Sequence, residues 1–385
     1  MKRDRPDYWL ILITFLLLGF GLVMVFSASY FKGIIDPDIQ DSYFFFKRQL
    51  LFGGIGLILF FVFSNIPYHT YRKNVGWILL LSLFLLILVP LFGEVRNGAR
   101  RWIDLGMFSF QPSELVKLGM IIYTASIMVK KQPVMDDFKR AIVPPLVVIG
   151  LICTLLVIQP HFSATVIILA TCMLVIYCAG IRFKHLLVLF AAGVPVLIGV
   201  MVTGSYRLKR LASLTDPMSD PSGSGYQILQ SLYAIGPGGL TGVGLGKSIQ
   251  KMAYLPEAHT DFIFSIIAEE LGFIGSAFLI LLFVALILRG VMISVQAPDL
   301  FGTLLGIGIV GLTGIETIFN LGVVTALLPV TGVPLPLISY GGTALLIKMM
   351  GLGILLNISR YRTKKTKSSK ATRPQPTGAP LTGQG

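Results

Sequence analysis

Charged residues are scarce in this chain of 385 residues: Asp, Glu, Lys and Arg together make up 13% of the sequence, whereas 54% of the residues are apolar. A soluble domain carries about 25% charged residues, so the composition excludes an ordinary soluble protein. Apolar runs of about 20 residues recur along the chain, and each could cross the hydrocarbon core of a bilayer. We therefore predict an all-α polytopic integral membrane protein, because an open sheet would leave backbone groups unpaired in lipid.

Acidic residues are rarer than basic ones, 18 against 32, and the net charge is +14. In a soluble chain this balance would suggest nucleic acid, but here Lys and Arg flank the apolar runs, and no basic-aromatic platform is visible. We expect the charge to set topology and to meet anionic lipid headgroups, and we expect no nucleic-acid partner. Cysteine is scarce too, and all three residues are predicted to be small buried hydrophobes rather than metal ligands: Cys153, Cys172 and Cys178.

Ten apolar runs are predicted to span the membrane, and the first is too long for the core of a signal peptide. An even number of spans places both termini on one side, and their Lys and Arg content makes that side the cytoplasm. Residues 1–361 form the predicted membrane domain, and the basic, Pro- and Gly-rich residues 362–385 a disordered cytoplasmic tail. The runs lie at about 8–30, 48–66, 75–93, 112–129, 142–158, 163–181, 186–203, 262–289, 301–325 and 341–358.

Three longer segments face outward in this topology: about 94–111, about 204–261 and about 326–340. The second is one large extracellular loop between spans seven and eight. The first two segments carry basic residues, against the usual excess of Lys and Arg inside. An anionic ligand at the outer face would account for them, although long loops translocate regardless of charge. The residues are Arg96, Arg100, Arg101, Arg207, Lys209, Arg210, Lys247 and Lys251.

Asp261 is the first candidate for a catalytic residue, because the large outer loop becomes span eight at this point. A carboxylate at that boundary is partly desolvated, which raises its pKa and makes it a better base near neutral pH. His259 and Thr260 directly precede it and could hydrogen-bond it. The alternative is a helix N-cap, in which the carboxylate satisfies free N–H groups of the first turn. Spacing alone leaves both readings open.

Glu114 and Lys117 are three residues apart near the outer end of span four, which places them on one helix face. They form either a structural ion pair or a site in which Lys117 points at a phosphate in a polar cavity. Trp102, next to Arg100 and Arg101, is either an interfacial anchor or a surface for stacking on a sugar. Further intramembrane charges are expected inside the bundle, where they could pair: Glu269, Glu270, Glu316 and Lys348.

The Gly-rich run GPGGLTGVGLGKS (Gly236–Ser248) does not fit a nucleotide-binding loop. A P-loop needs Gly at position 241, where this chain has Thr, and no strand precedes the run. We expect a close-packed or re-entrant loop instead. The four histidines are scattered without nearby carboxylates, and they predict no metal site of their own.

Five segments, in this order, resemble the SEDS family (shape, elongation, division and sporulation) of peptidoglycan polymerases, and most of all its FtsW/SpoVE branch. With the ten spans the resemblance covers about residues 8–360. The segments are RNGARRWIDLG, QPSELVKLG, DPSGSGYQILQSLYAIGPGGLTGVGLGKSIQK, YLPEAHTDFIFSIIAEELG and PLPLISYGGT.

This resemblance implies a glycosyltransferase that polymerises lipid II at the outer face of the bacterial cytoplasmic membrane during division or sporulation. The growing lipid-linked glycan is the donor, the GlcNAc 4-hydroxyl of lipid II is the acceptor, and undecaprenyl pyrophosphate leaves. The implied cofactor is a divalent cation, Mg²⁺ or Mn²⁺. The implied partners are a class B penicillin-binding protein, which crosslinks the strands, and other membrane proteins of division or sporulation.

Asp261 matches the essential loop aspartate of the family, and it is also a candidate metal ligand. Transfer from a pyrophosphate needs a base for the attacking hydroxyl and charge stabilisation at the leaving phosphates, where Arg gives bidentate contacts. The expected substrate and pyrophosphate site consists of Arg100, Arg101, Trp102, Glu114, Lys117, Arg207, Arg210, His259 and Thr260.

The chain departs from the family in the turn after span five, where the family often has Gln-Pro-Asp-x-Gly and this chain has Gln159-Pro160-His161-Phe162-Ser163. His161 could act as a ligand or a hydrogen-bond donor, or the position could be structural. Two other functions stay open. A lipid II flippase predicts charges through the depth of the membrane and no outer base, and a scaffold that only recruits a transpeptidase predicts that Asp261 is dispensable.

Overall fold

The apolar runs fold as helices because each main-chain N–H and C=O group must find a partner within the chain when lipid replaces water. The computed structural model describes residues 4–96, 99–104, 106, 109–202 and 204–361, so the predicted tail lies outside the described residues. The helices are α1 (Tyr8–Ile35), α2 (Phe44–Asn65), α3 (His69–Lys73), α4 (Val75–Phe92), α5 (Pro112–Lys131), α6 (Phe138–Ala141), α7 (Val143–Ile158), α8 (Phe162–Cys178), α9 (Phe183–Val202), α10 (Ser205–Thr215), α11 (Ser224–Ile235), α12 (Ile263–Val295), α13 (Leu300–Val324) and α14 (Gly342–Ser359).

Eight of the described helices are long and apolar enough to cross a membrane: α1, α2, α4, α5, α9, α12, α13 and α14. The two remaining predicted spans coincide with the shorter apolar helices α7 and α8. The far end of α8 is bonded to the residue after α5, since Gln132 Nε2 donates to the carbonyl of Ala179 at 2.8 Å. The turn between α7 and α8 contacts Arg101 at the opposite end of the bundle. The membrane-protein architecture is confirmed, and ten crossings remain the prediction.

The helix α13 is central to the bundle, where it packs against α12, α8, α5 and α14. Small residues let these helices approach closely, as transmembrane interfaces commonly require. A Cβ atom on Gly306 of α13, for example, would lie 2.3 Å from Ser294 Oγ of α12. By contrast, α9 stands at the edge of the bundle, and most of its described side chains are exposed.

Two acidic helix caps hold together the end of the bundle that is predicted to face the cytoplasm. Asp7 accepts a hydrogen bond from a main-chain N–H in the first turn of α1 at 3.0 Å and from Arg289 Nη2 of α12 at 2.6 Å. Asp299 accepts from a main-chain N–H of α13 at 2.7 Å, and its other carboxylate oxygen lies 2.6 Å from His69 Nε2. Each carboxylate therefore caps one helix and ties it to a second element.

The predicted outer end carries a small sheet and two further segments beside the long helices. The antiparallel strands β1 (Glu94–Arg96), β2 (Ala99–Asp104) and β3 (Ser109–Phe110) form a small sheet in that order. The predicted large outer loop contains α10 and α11, and a turn-rich segment, residues 325–341, joins α13 to α14. These three parts correspond to the three predicted outer segments.

The helix α12 is broken at Gly272, whose dihedral angles are φ 64° and ψ −160°. The Gly-rich run fills the break: Val243 N donates to Glu269 O at 2.9 Å, and Phe273 N donates to Gly239 O at 2.9 Å. Only glycine fits at the contact, because a Cβ on Gly242 would lie 2.1 Å from the Glu270 carbonyl oxygen. The prediction of a close-packed loop is confirmed, and its packing partner is the backbone of α12.

Candidate active site

Asp261 lies in the last turn before α12, and its carboxylate is not a helix cap. The N-cap position of α12 is Phe262, and no side chain makes a capping hydrogen bond there. The capping interpretation was therefore wrong. Asn320 of α13 holds the loop in place, since its Nδ2 donates to the main-chain carbonyls of Asp261 at 2.7 Å and Val333 at 2.8 Å. The Asp261 side chain is left available for chemistry.

Three successive residues of the segment after α13 contact side chains from other elements that lie around Asp261. Arg210 Nη1 of α10 donates to the carbonyl of Val330 at 2.7 Å, and Ser163 Oγ of α8 donates to the carbonyl of Thr331 at 2.5 Å. Gly332 faces Asp261 so closely that a Cβ there would lie 3.4 Å from Asp261 Oδ2. The strip 330–332 therefore brings α8, α10 and the loop of Asp261 to one place.

The electrostatics of Asp261 suit a general base. Burial and the negative charge of Glu257 raise its pKa to about 7, against the opposing effect of Arg210 and Arg101. A base works best when its pKa lies near the operating pH, because it is then both ionised and basic enough to take a proton. Desolvation lowers the pKa of Arg101 and Arg210, but a guanidinium remains charged at neutral pH.

In each of the two arginine pairs, Arg100 with Arg101 and Arg207 with Arg210, one residue lies at the site and the other bonds elsewhere. Arg101 is electrostatically coupled to Asp261, whereas Arg100 is exposed and its Nη1 donates to the carbonyl of Pro90 at 3.0 Å. Successive side chains of a strand point to opposite faces, which explains the division in β2. On α10, Arg210 reaches the site, whereas Arg207 donates to the carbonyl of Val200 and lies over the Phe162 ring. Trp102 lies half-buried in β2, opposite Glu94.

Among the described residues neither His259 nor Thr260 makes a side-chain hydrogen bond to the Asp261 carboxylate, which both could have reached from their places in the chain. Thr260 Oγ1 donates to Glu257 Oε2 at 2.8 Å. The His259 ring is buried with its centroid 4.7 Å from that of Phe45, and burial together with the charge of Lys32 lowers its pKa to about 3. A neutral, aromatic-packed histidine shapes the loop rather than offering charge to a phosphate.

A buried network of four charges lies inside the bundle near this loop. Lys117 Nζ of α5 lies 2.7 Å from Glu114 Oε1 and 2.6 Å from Glu316 Oε1 of α13. Glu316 also contacts Lys348 of α14, and all four side chains are buried. A narrow cleft lined by Glu114, Glu316, Lys348 and residues 334–337 runs beside the network. Glu114 and Lys117 therefore form an ion pair, a role for Lys117 at a phosphate stays a prediction, and the expected pairing of Glu316 and Lys348 is confirmed.

A second buried network holds the Gly-rich run. Glu270 of α12 accepts hydrogen bonds from Lys251 Nζ at 2.7 Å and from Ser27 Oγ of α1 at 2.7 Å. Its neighbour Glu269 accepts from Ile249 N at 2.8 Å. Lys251 is therefore a structural partner of Glu270, although its position in an outer segment had suggested an anionic ligand.

Sequence reasoning missed two groups of the site. The sequence did hold a signal for Asn320, because a polar amide within an apolar membrane helix must find hydrogen-bond partners inside the protein. Glu257, which lies near enough to raise the pKa of Asp261, had no distinguishing signal in a polar loop. Among the described residues no group of three or more His, Cys, Asp or Glu side chains is placed to hold a metal ion.

Comparison with known proteins gives the family. Residues 8–364 match the FtsW/RodA/SpoVE family, described as "Cell cycle protein". Stage V sporulation protein E of Bacillus subtilis is 46% identical over 362 residues, which cover 94% of this chain and 98% of that protein. A Coxiella burnetii protein named "Probable peptidoglycan glycosyltransferase FtsW" is 41% identical over 363 residues, covering 93% and 97%.

A solved structure has the same architecture. It is described as "Structural coordination of polymerization and crosslinking by a peptidoglycan synthase complex", and the similar chain in it has a TM-score of 0.76 and 31% sequence identity. The similarity covers 93% of this chain and 99% of that one. The chain is therefore a multi-pass membrane protein that belongs to the FtsW/RodA/SpoVE family.

Proposed function

We propose that this protein is a peptidoglycan glycosyltransferase that polymerises lipid II at the outer face of the bacterial cytoplasmic membrane, during division or sporulation. The observation that carries the proposal is Asp261, a carboxylate with a pKa of about 7 beside two guanidinium groups at the outer end of a membrane bundle. The name of the Coxiella burnetii relative supports the same activity, and that of the Bacillus subtilis relative supports a role in sporulation.

In the proposed reaction Asp261 takes the proton from the GlcNAc 4-hydroxyl of lipid II. The hydroxyl oxygen then forms a bond to the anomeric carbon of the donor sugar, and the bond from that carbon to the pyrophosphate oxygen breaks. The bonding electron pair leaves with undecaprenyl pyrophosphate. A pKa near neutral pH is the compromise between availability and basicity that a general base requires.

The second requirement of the reaction is that positive groups stabilise the negative charge that develops on the departing pyrophosphate. Arg101 and Arg210 are the two cations coupled to Asp261, and planar guanidinium groups suit bidentate contacts with phosphate oxygens. Lys117 forms ion pairs with Glu114 and Glu316, so we propose that it holds α5 and α13 together beneath the site rather than binding phosphate. Ser339 lines the cleft beside that network, and its Oγ donates to the Thr260 carbonyl at 2.6 Å.

A divalent cation, Mg²⁺ or Mn²⁺, is part of the proposal. Mg²⁺ is usually held by one or two protein carboxylates together with substrate phosphates, and Asp261 and Glu257 provide two neighbouring carboxylates. Glu257 would hold the ion jointly with the pyrophosphate, and Asp261 could join it only at the edge of the site, since its carboxylate must stay free to accept the proton. The ion would supply additional neutralisation of the phosphate charge.

The proposed partner is a class B penicillin-binding protein, which would crosslink the strands as they form. The support is the similar solved chain, which is described as part of a synthase complex that coordinates polymerisation and crosslinking. Other membrane proteins of division or sporulation are proposed to join this pair.

The test is strand formation in proteoliposomes that contain fluorescent lipid II, the full chain and its transpeptidase partner. Glycan strands are resolved by electrophoresis, and lipid II translocation is followed in parallel with a membrane-impermeant quencher. The proposal expects strands without accelerated translocation. Translocation without strands would favour the flippase, and neither activity would favour the scaffold.

A further inference from the structure

His161, in the turn between α7 and α8, has a ring nitrogen that the protein leaves unused. Its side chain is only 8% exposed, and Nδ1 has no hydrogen-bond partner among the described residues. Folded proteins pair nearly all their buried polar atoms, because an unpaired one loses its bonds to water without compensation. An unpaired nitrogen beside the proposed active site therefore indicates a ligand.

The state of the ring follows from its surroundings. Gln111 Nε2 lies 3.4 Å from His161 Nε2. With the amide nitrogen as the donor, His161 Nε2 is the acceptor, and we assign the ring proton to Nδ1. The ring stays uncharged, because burial and the positive charges of Arg101 and Lys117 lower its pKa well below the ordinary value. His161 Nδ1–H is consequently a neutral donor.

Two further buried atoms without partners lie around the same turn. Arg101 donates through Nη2 to the carbonyl of Pro160, but its Nε has no partner among the described residues. Thr331 accepts from Ser163 through its main-chain carbonyl, but its Oγ1 is likewise unpaired within the described part of the chain. A guanidinium N–H, an imidazole N–H and a hydroxyl thus surround one turn, and Gly332 joins this place to Asp261.

Such a set of donors fits a ligand that offers only acceptors, which is the chemistry of a phosphate group. We propose that His161, Arg101 and Thr331 form a pocket for the pyrophosphate of the lipid-linked donor, with His161 Nδ1–H and Thr331 Oγ1–H as neutral donors beside the Arg101 guanidinium. This inference rests on the proposed function and adds two ligand-contacting residues to it.

The test measures binding of undecaprenyl pyrophosphate to the full chain in nanodiscs. All nanodiscs contain phosphatidylglycerol, so binding to an ordinary phosphate headgroup is the background, and any additional signal reports binding of the pyrophosphate lipid. His161→Leu removes the ring donor, and Thr331→Val removes only a hydroxyl at nearly constant volume. Each is expected to weaken binding by about 10- to 100-fold, as for a lost hydrogen bond to a charged group. His161→Asn places an amide N–H near Nδ1 and is expected to retain most of the affinity.

The matched control is Thr171→Val, because Thr171 is buried in α8 and, within the described part of the chain, its hydroxyl bonds to the Ile167 carbonyl alone. Binding in this variant should equal that of the wild type. If His161→Leu does not fold, Thr331→Val decides the question.

The outcomes separate the pocket from the proposed function. Strand formation by the wild type together with undiminished binding in His161→Leu and Thr331→Val would overturn the pocket alone. Weakened binding in both variants, with no strands from the wild type, would overturn the polymerase and retain the pocket. A wild type that binds no undecaprenyl pyrophosphate would overturn the pocket, and strand formation alone would then decide the polymerase.

Discussion

Asp261 has a pKa of about 7 because burial and Glu257 outweigh Arg210 and Arg101. The sequence predicted the desolvation, since the residue stands where a polar loop meets an apolar helix. It did not predict which cations would reach the carboxylate, because Arg101 and Arg210 arrive from a strand and a helix far away in the chain. The alternation of side chains in β2 separates Arg100 from Arg101 only once the strand is known.

The pH dependence of the reaction tests this balance. Asp261 must be ionised to accept a proton, so its raised pKa predicts that strand formation increases as pH rises through about 7. Glu257→Gln removes the neighbouring negative charge that raises the pKa, and the rising limb should move to lower pH. Initial rates between about pH 5 and pH 9 span the expected limb and give the comparison. A limb that stays in place in Glu257→Gln would contradict the assignment.

The network around Glu316 predicts a non-additive pair of substitutions. Glu316→Gln leaves two buried lysines with one carboxylate, and breaking a buried ion pair in this way costs about 3–5 kcal/mol. Adding Lys348→Met removes the excess charge and leaves the Glu114–Lys117 pair, so the double variant should recover part of the loss. Thermal unfolding in detergent measures both. A double variant whose loss equals the sum of the losses in Glu316→Gln and Lys348→Met alone would show that the two groups are not coupled.

At the level of elements, the Gly-rich run bonds the main-chain groups that the break in α12 leaves without helical partners. The glycine content predicted close packing, and the failed P-loop match excluded a nucleotide. The break at Gly272 could not be predicted, because its partners are main-chain groups of residues 239–244, which carry no side-chain signal. The sheet β1–β3 was missed for a related reason: its strands are too short for an apolar alternation to appear.

Two glycines with the same backbone conformation test this packing. Gly242 and Gly246 have φ angles of 79° and 81°, but only Gly242 is crowded: a Cβ there would lie 2.1 Å from the Glu270 carbonyl oxygen, whereas a Cβ on Gly246 would have nothing within 4 Å. Gly246→Ala should cost about 1–2 kcal/mol for the left-handed conformation alone. Gly242→Ala should cost several kcal/mol more, because backbone must move. Equal unfolding temperatures for the two variants would contradict the contact.

For the whole molecule, the apolar runs and the distribution of Lys and Arg predicted a polytopic bundle, and the described helices lie at all ten predicted positions. Which helix is central could not be predicted, since α13 is distinguished by what packs on it. The family resemblance identified the activity to expect, but the assignment of each arginine needed the fold.

Ten crossings require that the α7–α8 hairpin traverse the bilayer, although both helices are short. Pro160→Cys, at the exposed turn and in a background without Cys153, Cys172 and Cys178, should react with an impermeant maleimide added outside. Exposed controls are Asp216→Cys for the outer side and Lys139→Cys for the inner side. Labelling of Pro160→Cys only after the membrane is opened would contradict ten crossings.

The role of Asp261 is tested most directly by strand formation from purified lipid II with the wild type and Asp261→Asn, in the presence of the transpeptidase partner. The matched control is Asp216→Asn, an exposed carboxylate of the same outer segment. Loss of a general base predicts a decrease of at least about 100-fold for Asp261→Asn, with folding intact and Asp216→Asn unchanged. Equal strand formation by a folded Asp261→Asn variant would contradict the central claim that Asp261 is the base.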